Sequence, residues 1–432
     1  MKHLIILILS LVIGITELNA QTKSVQKSLV LTEGTPESVG MSTERLARID
    51  SLCVKAIAED KIPGAVALVV RNGNIVYYKA FGMADNQTGR ALKRDDIFRI
   101  ASQSKAITAT AVMMLWEEGK FNLDDPISKY IPEFKNPKVV SNFNSRDTSY
   151  TTVAAKSEIT IRQLLDHSSG LGYGVIGDDV RCSMIYQKAG IIDAFSSENR
   201  SIEENVKKLA VQPLLHHPGE KFTYSEGLDV LGYFVEIMSG MPFDVFLRTC
   251  LFEPLGMNDT WFYLPEDKAH RLVPVQKSDK GKWIRYPITF YDPDYPIKGA
   301  KRYLAGGAGL SSTAKDYAVF LQMYLNGGEL NGIRFLSRTT IQSILAFQVG
   351  NLWGNENDLF YSLAFSVVTQ SGQDKGGQGS AGTFGWGGYF NTSYFADPKE
   401  KIIGILLKQT QDTFIDDTEG KFHILVGQAI DD

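Results

Sequence analysis

Strand-forming runs stand at both ends of this chain, and helical patterns fill the long stretch between them. Near the start, AVALVVRNGNIVYYKAFG places Asn72-Gly73 between two β-rich runs, which predicts a hairpin. Near the other end, further strands are predicted at 362–368, 389–397 and 401–408. Because strands and helices are segregated along the chain, we predict an α+β fold, in which an antiparallel sheet is built from both termini and flanked by helices, with a large, mainly helical insertion.

The same segregation suggests a domain organisation. Residues 21–105 and 345–432 are expected to form one discontinuous α/β sheet domain, 106–344 a mainly helical domain, and the active site the cleft between them. Helices are predicted at 43–60 and 419–430, and long polar loops at 135–158 and 172–200. The segment 372–388 holds eight glycines, so we expect a loop, or a strand that another group approaches closely.

The first twenty residues indicate export. MKH is a short basic region, LIILILSLVIGI is apolar, and TELNA ends in a small residue, which is the pattern of a secretory signal (1–20) cleaved near Ala20. We therefore expect a periplasmic or secreted protein with no stable membrane span after cleavage. The net charge of −4 gives no basis for nucleic-acid binding, and the sequence leaves the oligomeric state open.

The cysteines and histidines give no metal or cofactor signal. Cys53, Cys182 and Cys250 are an odd number in a chain expected to be exported, and their spacing matches no known ligand pattern. Cys53 falls on the apolar face of the first predicted helix, so we interpret it as a small buried hydrophobe. No metal site and no cofactor are predicted.

The stretch FRIASQSKAIT carries the clearest chemical pattern. Ser102 lies at a predicted helix start, and Lys105 falls on the apolar stripe that continues through Ala109, Val112 and Trp116. Serine becomes a nucleophile only when a base takes its proton, and burial favours the neutral amine that can act as this base. The alternative is that Ser102 caps the helix while Lys105 extends its amine to solvent.

The same spacing of serine and lysine occurs twice more in the sequence, so the spacing alone does not identify a catalytic pair. Ser24 and Lys27 lie in the polar segment after the signal, and Ser312 precedes Lys315 at a helix start, where Ser312 resembles an N-cap. Only Lys105 lies on an apolar stripe.

Two further segments could complete a site. Tyr224 is presented just before a helix start, where its phenol could reach a neighbouring group, although an ordinary packing role is the alternative. Farther along, Gly387 and Gly388 leave an edge strand bare just before Tyr389. A substrate could approach there, and the Tyr389 N–H could donate to an oxyanion.

The segments SQSK, YSE and WGG, in this order, resemble the serine β-lactamase and penicillin-binding protein superfamily, and within it the class C β-lactamase-related enzymes, esterases included. IPGAVALVVRNG, LLDHSSGL, HPGEKFTYS, YSEGLDVLGYFVEIMSG and GGAGLSSTAKDYAVF extend the resemblance over 42–430. It implies that Ser102 is the acylated nucleophile, Lys105 its proton partner and Tyr224 the general base or shuttle. The backbone N–H groups of Ser102 and Tyr389 would form the oxyanion hole.

Two departures from the family pattern bear on the substrate. Glu226 replaces the asparagine of the usual Tyr-x-Asn motif, and Trp386, followed by Gly387 and Gly388, stands where β-lactamases have the lysine of a Lys-Thr-Gly triad. We expect Trp386, the two glycines and Glu226 to contact the substrate. A β-lactam carries a carboxylate, which lysine or arginine holds best, so both changes favour an esterase acting on small uncharged esters.

Three alternatives stay open in the sequence. The first keeps the fold but acts on D-amino-acid peptides, as a DD-carboxypeptidase or as a weak β-lactamase. The second is a non-catalytic sensor resembling penicillin-binding proteins, although intact Ser102, Lys105 and Tyr224 argue against it. The third, a Ser-His-Asp hydrolase around Asp166 and His167, lacks a GxSxG motif, and we expect His167 to lie below the site in a structural role.

Overall fold

The computed structural model describes residues 21–353, 358–411 and 416–432, so the predicted signal at 1–20 lies outside the described residues. The α-helices of the described residues are α1 Thr43–Leu46, α2 Arg48–Ala58, α3 Ser104–Glu117, α4 Ile161–Leu165, α5 Val180–Ala189, α6 Ile202–Ala210, α7 Gly227–Ser239, α8 Phe243–Leu247, α9 Glu253–Leu255, α10 Ala314–Leu325, α11 Arg338–Ile344, α12 Gln370–Lys375 and α13 Thr418–Gly427.

The strands come from both ends of the chain and from short pairs in the middle. They are β1 Thr22–Lys23, β2 Thr32–Glu33, β3 Gly64–Arg71, β4 Asn74–Asp85, β5 Arg90–Ala91, β6 Phe98–Arg99, β7 Lys138–Asn144, β8 Ser149–Ala154, β9 Gln276–Asp279, β10 Lys282–Arg285, β11 Ser311–Ser312, β12 Glu329–Leu330, β13 Ile333–Arg334, β14 Leu359–Tyr361, β15 Ser366–Val368, β16 Phe384–Gly388, β17 Thr392–Asp397 and β18 Ile402–Leu407. The main sheet has the order β14-β15-β16-β17-β18-β3-β4-β2, with β5 paired to β4. All its neighbours are antiparallel except β2 and β4, so the α+β prediction is confirmed.

The hairpin predicted at Asn72-Gly73 is present. β3 and β4 pair up to Arg71 opposite Asn74, which leaves a two-residue turn. Asn72 and Gly73 have φ values of 50° and 77°, the left-handed conformations that a type I′ turn requires of both residues. Asparagine and glycine adopt them at low cost, and this is why the dipeptide predicted the turn.

The main sheet is covered on both faces, which explains why β3 is an unbroken apolar run. Val66, Leu68 and Val70 pack into the large inner core with α3 and α10, while Ala67 and Val69 pack into a second core beneath α2 and α13. The inner core joins the sheet to the helical region. The first turn of α3 therefore lies at the junction between sheet and helices.

The two long loops predicted in the middle of the chain are only partly loops. Residues 135–158 contain the hairpin β7–β8, and residues 172–200 contain α5. The hairpin was missed because its outward side chains are mostly polar, so the strands lack an apolar run. The short helix α5 is capped by Asp179, a signal that the sequence reasoning did not use.

Two of the predicted strands near the end are shorter than expected. In 362–368, Ala364 has a φ of 73° and the chain turns, so β15 begins only at Ser366. In 389–397, the Asn391 N–H donates to the Gly388 carbonyl and closes a turn before β17 begins at Thr392. The closing helix α13 overlaps the predicted range 419–430.

Within the described ranges, no single helix is both long and apolar enough to span a membrane. α7 and the helical segment Phe243–Leu255 reach that length and hydropathy only as a pair bent by 79°.

Candidate active site

Ser102 lies on a tight turn rather than inside a helix. Residues Ala101–Gln103 form a single 3₁₀ turn, and α3 begins two residues after Ser102, later than the sequence predicts. Gln103 occupies the N-cap position and makes no side-chain capping bond, so the capping alternative for Ser102 is wrong. Ala101 has a φ of 43°, a strained conformation for a residue with a Cβ, and such strain is concentrated at functional sites. Ser102 itself is partly exposed between buried neighbours.

Lys105 is completely buried, which excludes the alternative in which its amine reaches solvent. The predicted one-sided apolar stripe is wrong in a further respect, because α3 is buried on all sides from Ser104 to Leu115. The Lys105 Nζ lies 3.4 Å from Ser102 Oγ, 3.0 Å from the Tyr173 hydroxyl and 2.8 Å from the Gly307 carbonyl. Lys27 and Lys315, the lysines of the other two SxxK segments, are exposed. Of the three segments, only SQSK therefore combines this spacing with a buried amine.

Tyr224 faces Lys105 with its ring. The Lys105 Nζ lies 4.4 Å from the centre of the Tyr224 ring, a cation–π distance. The Tyr224 hydroxyl accepts a hydrogen bond from Trp386 Nε1 at 3.2 Å. Tyr224 therefore connects the lysine to the strand that carries Trp386, and the structure brings Ser102, Lys105, Tyr224 and Trp386 together.

His167 supports the turn that carries Tyr224. The Ser225 N–H donates to His167 Nδ1 at 3.2 Å, so this nitrogen is an acceptor and the proton lies on Nε2. Burial, reinforced by the charge of Lys105, lowers the pKa of His167 well below its usual value. Asp166 accepts its hydrogen bonds from Ser168 instead of from His167. The arrangement is that of a neutral structural histidine, as predicted, and it contradicts a Ser-His-Asp triad at these residues.

Tyr173 is a candidate site residue that the sequence reasoning missed. It is buried, its hydroxyl accepts from Lys105 Nζ, and its ring centre lies 5.6 Å from that of Tyr224. Burial, with the nearby charge of Asp229, raises the pKa of its phenol well above the usual value, so the hydroxyl stays protonated. Its position between two glycines directly after LLDHSSGL was the available signal.

Trp386, Gly387 and Gly388 form the end of β16, beside the serine turn. β16 is an inner strand at Phe384 and Gly385, where it pairs with both β15 and β17, but from Trp386 onward it pairs with β17 alone. The predicted edge strand is therefore an edge only over its last three residues. A Cβ on Gly388 would lie 2.4 Å from the Ile100 carbonyl, so only glycine allows this approach to the serine turn.

Gly388 and its neighbour Gly387 allow a matched test of the close contact between β16 and the serine turn. We expect Gly388→Ala to lower kcat/KM by about 10-fold or more, because the added methyl group displaces the serine turn from β16. Gly387→Ala is the control, since the nearest atom to its new Cβ is the Thr392 carbonyl at 3.4 Å. Steady-state kinetics on purified, folded variants check this. Equal losses in both variants would contradict a specific role for the contact at Gly388.

Glu226 lies behind the site. It occupies the N-cap position of α7 without making a capping bond and has no exposed surface. The predicted contact of Glu226 with substrate is therefore not supported, because its carboxyl group is enclosed by protein. Burial, and then the charge of Asp193, raises the pKa of this carboxyl well above the usual value and so favours its uncharged form.

Asp229 and Lys105 both form hydrogen bonds with the backbone of Gly307. Gly307 accepts from Lys105 Nζ through its carbonyl and donates its N–H to Asp229 Oδ1 at 3.2 Å. Burial raises the pKa of Asp229 to about 6, although the charge of Lys105 opposes the shift. Asp229 is thus ionised above pH 6 and gives the buried lysine an anionic neighbour.

The cysteines stand apart from this chemistry. Cys53, Cys182 and Cys250 are all buried free thiols. Burial raises the pKa of Cys53 to about 12, which removes it as a nucleophile near neutral pH and agrees with its interpretation as a small buried hydrophobe.

Comparison with known proteins identifies the family. The family model for beta-lactamase matches residues 49–428. Esterase EstB of Burkholderia gladioli is 32% identical over 383 residues, covering 84% of this chain and 90% of its own length. Lovastatin esterase of Penicillium rubens is 28% identical, covering 83% and 91%. The solved structure of EstCE1, described as a hydrolase with promiscuous acyltransferase activity, superposes with a TM-score of 0.75 at 27% identity, covering 90% of this chain and 99% of that one.

The fold of the solved structure agrees with the sheet built from both ends of the chain. The chain belongs to the beta-lactamase family and is a serine hydrolase of the beta-lactamase fold, similar to esterases.

Proposed function

We propose that this protein is an exported carboxylesterase that works through an acyl-enzyme on Ser102. The observation that carries the choice of substrate is the hydrogen bond from Trp386 Nε1 to the Tyr224 hydroxyl. Trp386 stands where the family resemblance places a lysine, and its single N–H is already engaged within the protein. A substrate carboxylate gains no cation from this residue, whereas an uncharged ester needs none.

The surroundings of Trp386 support the same substrate class. Its ring centre lies 5.1 Å from that of Tyr361, 5.9 Å from that of Tyr224 and 6.3 Å from that of Trp353. These rings form a neutral aromatic wall. Such a wall favours an apolar acyl or alcohol group.

In the proposed reaction the Ser102 hydroxyl attacks the ester carbonyl, and its proton passes to Lys105 Nζ, which lies 3.4 Å from Ser102 Oγ. Tyr224 would carry that proton to the leaving alkoxide, which departs as an alcohol. Water then attacks the acyl-serine, the acid is released, and the serine hydroxyl is restored. The N–H groups of Ser102 and Tyr389 would stabilise the oxyanion in both steps.

The substrate preference is tested with a short-chain p-nitrophenyl ester and a chromogenic cephalosporin. We expect turnover of the ester with little cleavage of the cephalosporin. Trp386→Lys should raise the cephalosporin-to-ester ratio of kcat/KM by about 10-fold, because a charge-assisted hydrogen bond to the carboxylate is gained. Trp386→Phe is the control, since it removes the N–H without adding charge. Efficient cephalosporin turnover by the parent would contradict the proposal.

The alternatives give different results in the same assays. A D-amino-acid peptidase would hydrolyse D-alanyl amides faster than esters. A sensor would be acylated once by the cephalosporin and would turn over neither substrate. Export is proposed on the signal pattern at 1–20, with the protein periplasmic or secreted and its substrate a small molecule.

A further inference from the structure

The carboxyl group of Glu226 is buried and has no hydrogen-bond partner at either oxygen when both are treated as acceptors. An ionised carboxylate in such a place would cost several kcal/mol of folding free energy. A protonated carboxyl group is different, because it carries one O–H donor and requires only a nearby acceptor.

Asp193 is that acceptor, and its own position is fixed by the backbone. Its Oδ1 accepts from the Gly174 N–H at 2.8 Å, and its Oδ2 accepts from the N–H groups of Ile176, at 3.1 Å, and Val175. Three successive N–H groups therefore fix the orientation of the Asp193 carboxyl group. The carboxyl group of Asp193 lies against that of Glu226 and, held in this way, can accept its proton.

The pair holds the segment that carries Tyr173. The Glu226 N–H donates to the Gly172 carbonyl at 3.2 Å, and Asp193 binds the three residues that follow Tyr173. Tyr173 is thus fixed from both sides, and its hydroxyl accepts from Lys105 Nζ. A change at the carboxyl pair would move this phenol relative to the lysine.

Other groups also face Glu226 and bear on its proton. Burial is the largest cause of its raised pKa, followed by the charge of Asp193 and that of Asp229, while Lys105 acts in the opposite direction. The remaining titratable neighbours are Tyr173, Cys182, Tyr186 and Tyr303, and burial raises the pKa of each of them. They stay neutral near pH 7, so the proton on Glu226 is set by the carboxyl groups and by Lys105.

We propose that Glu226 is a positioning residue held as a neutral acid, that it shares one proton with Asp193, and that this pair sets Tyr173 against Lys105. Only the effect on catalysis rests on the proposed esterase function. This assigns a role to the glutamate that replaces the family asparagine. A neutral amide and a neutral acid both donate a hydrogen bond, so the replacement preserves the donor.

The proton itself is measured by infrared spectroscopy of the full mature chain at pH 8. At that pH Asp166, Asp229 and Asp316, with pKa values of about 6, are ionised. We expect a carbonyl band of a protonated carboxyl group in the parent that is absent from Glu226→Gln. Asp193→Asn should shift the same band, because the Glu226 O–H then loses its carboxylate acceptor. Asp229→Asn is the control and should keep it. A band unaffected by both Glu226→Gln and Asp193→Asn would overturn the proposal.

The consequence for Ser102 is measured by its rate of inactivation with an alkyl phosphonate ester, which needs no turnover. Glu226→Gln keeps a donor and should react within about 3-fold of the parent, whereas Glu226→Ala should react about 10-fold or more slowly. A carboxyl whose pKa is raised in the fold keeps its proton at low and neutral pH and loses it as the pH rises through that value. The parent should therefore lose reactivity at alkaline pH, and Glu226→Gln should keep it.

Equal losses in Glu226→Gln and Glu226→Ala would overturn the proposal, since they would mean that Glu226 acts as an anion. Failure of the esterase proposal would look different. The esters would then go unhydrolysed by every variant. The infrared band would still separate Glu226→Gln from the parent, and the phosphonate reaction would still separate Glu226→Ala from both.

Discussion

Ser102→Ala should abolish ester hydrolysis, with a fall in kcat of roughly 10⁴-fold or more. The physical reason is that, among the residues that the structure describes, no other hydroxyl lies partly exposed on a strained turn and 3.4 Å from a fully buried amine. The loss should appear in kcat rather than in KM, because the aromatic wall around Trp386 remains. Steady-state kinetics with a p-nitrophenyl ester, on protein shown to be folded, measure it.

The control for this prediction comes from the chain itself. Ser24 belongs to a second SxxK segment, but Lys27 is exposed. Ser24→Ala should therefore keep full activity. Residual turnover in Ser102→Ala above a tenth of the parent rate would contradict the role assigned to Ser102.

Lys105→Met should lower kcat by about 10³-fold or more, because it removes the proton acceptor while keeping a side chain of similar length. It should also reduce stability. The Gly307 carbonyl and the Tyr173 hydroxyl both lose the Lys105 amine as a partner, and a buried polar group left unsatisfied costs about 1–3 kcal/mol. Kinetics and chemical denaturation of the same preparations separate the two effects.

Lys315→Met is the matched control, because Lys315 has the same spacing from Ser312 but is exposed. We expect it to leave both kcat and stability close to those of the parent. The capping interpretation of Ser312 is itself corrected by the structure, in which Thr313 caps α10. A Lys105→Met enzyme with a tenth or more of parental kcat would show that another group takes the serine proton.

The sequence predicts correctly those parts of the fold in which neighbouring residues favour a single local conformation. Asn72-Gly73 specifies a two-residue turn because both residues adopt left-handed conformations easily. The SxxK spacing placed Lys105 over Ser102 because side chains three residues apart meet even across a short 3₁₀ turn. The family resemblance added the order of the three motifs.

The rest depends on contacts between segments that are distant in the sequence. Tyr173 and Gly307 both contact Lys105, although they lie 68 and 202 residues from it in the sequence. Neither residue has a local sequence pattern that indicates this partner. The orientation of Tyr224, with its ring toward the lysine and its hydroxyl toward Trp386, is likewise set by packing. Glu226 is predicted to contact the substrate because the sequence shows its position in the YSE motif. The sequence does not show that the Glu226 side chain is buried.

A covalent ester at Ser102 is the central intermediate of the proposed reaction. Its most direct test is mass spectrometry of the mature chain, quenched during turnover of a slowly released ester and then digested. We predict an increase equal to the acyl group on the peptide that contains Ser102, and none in Ser102→Ala. An acyl group on any other residue, or turnover with no acylated protein at any time, would contradict the account.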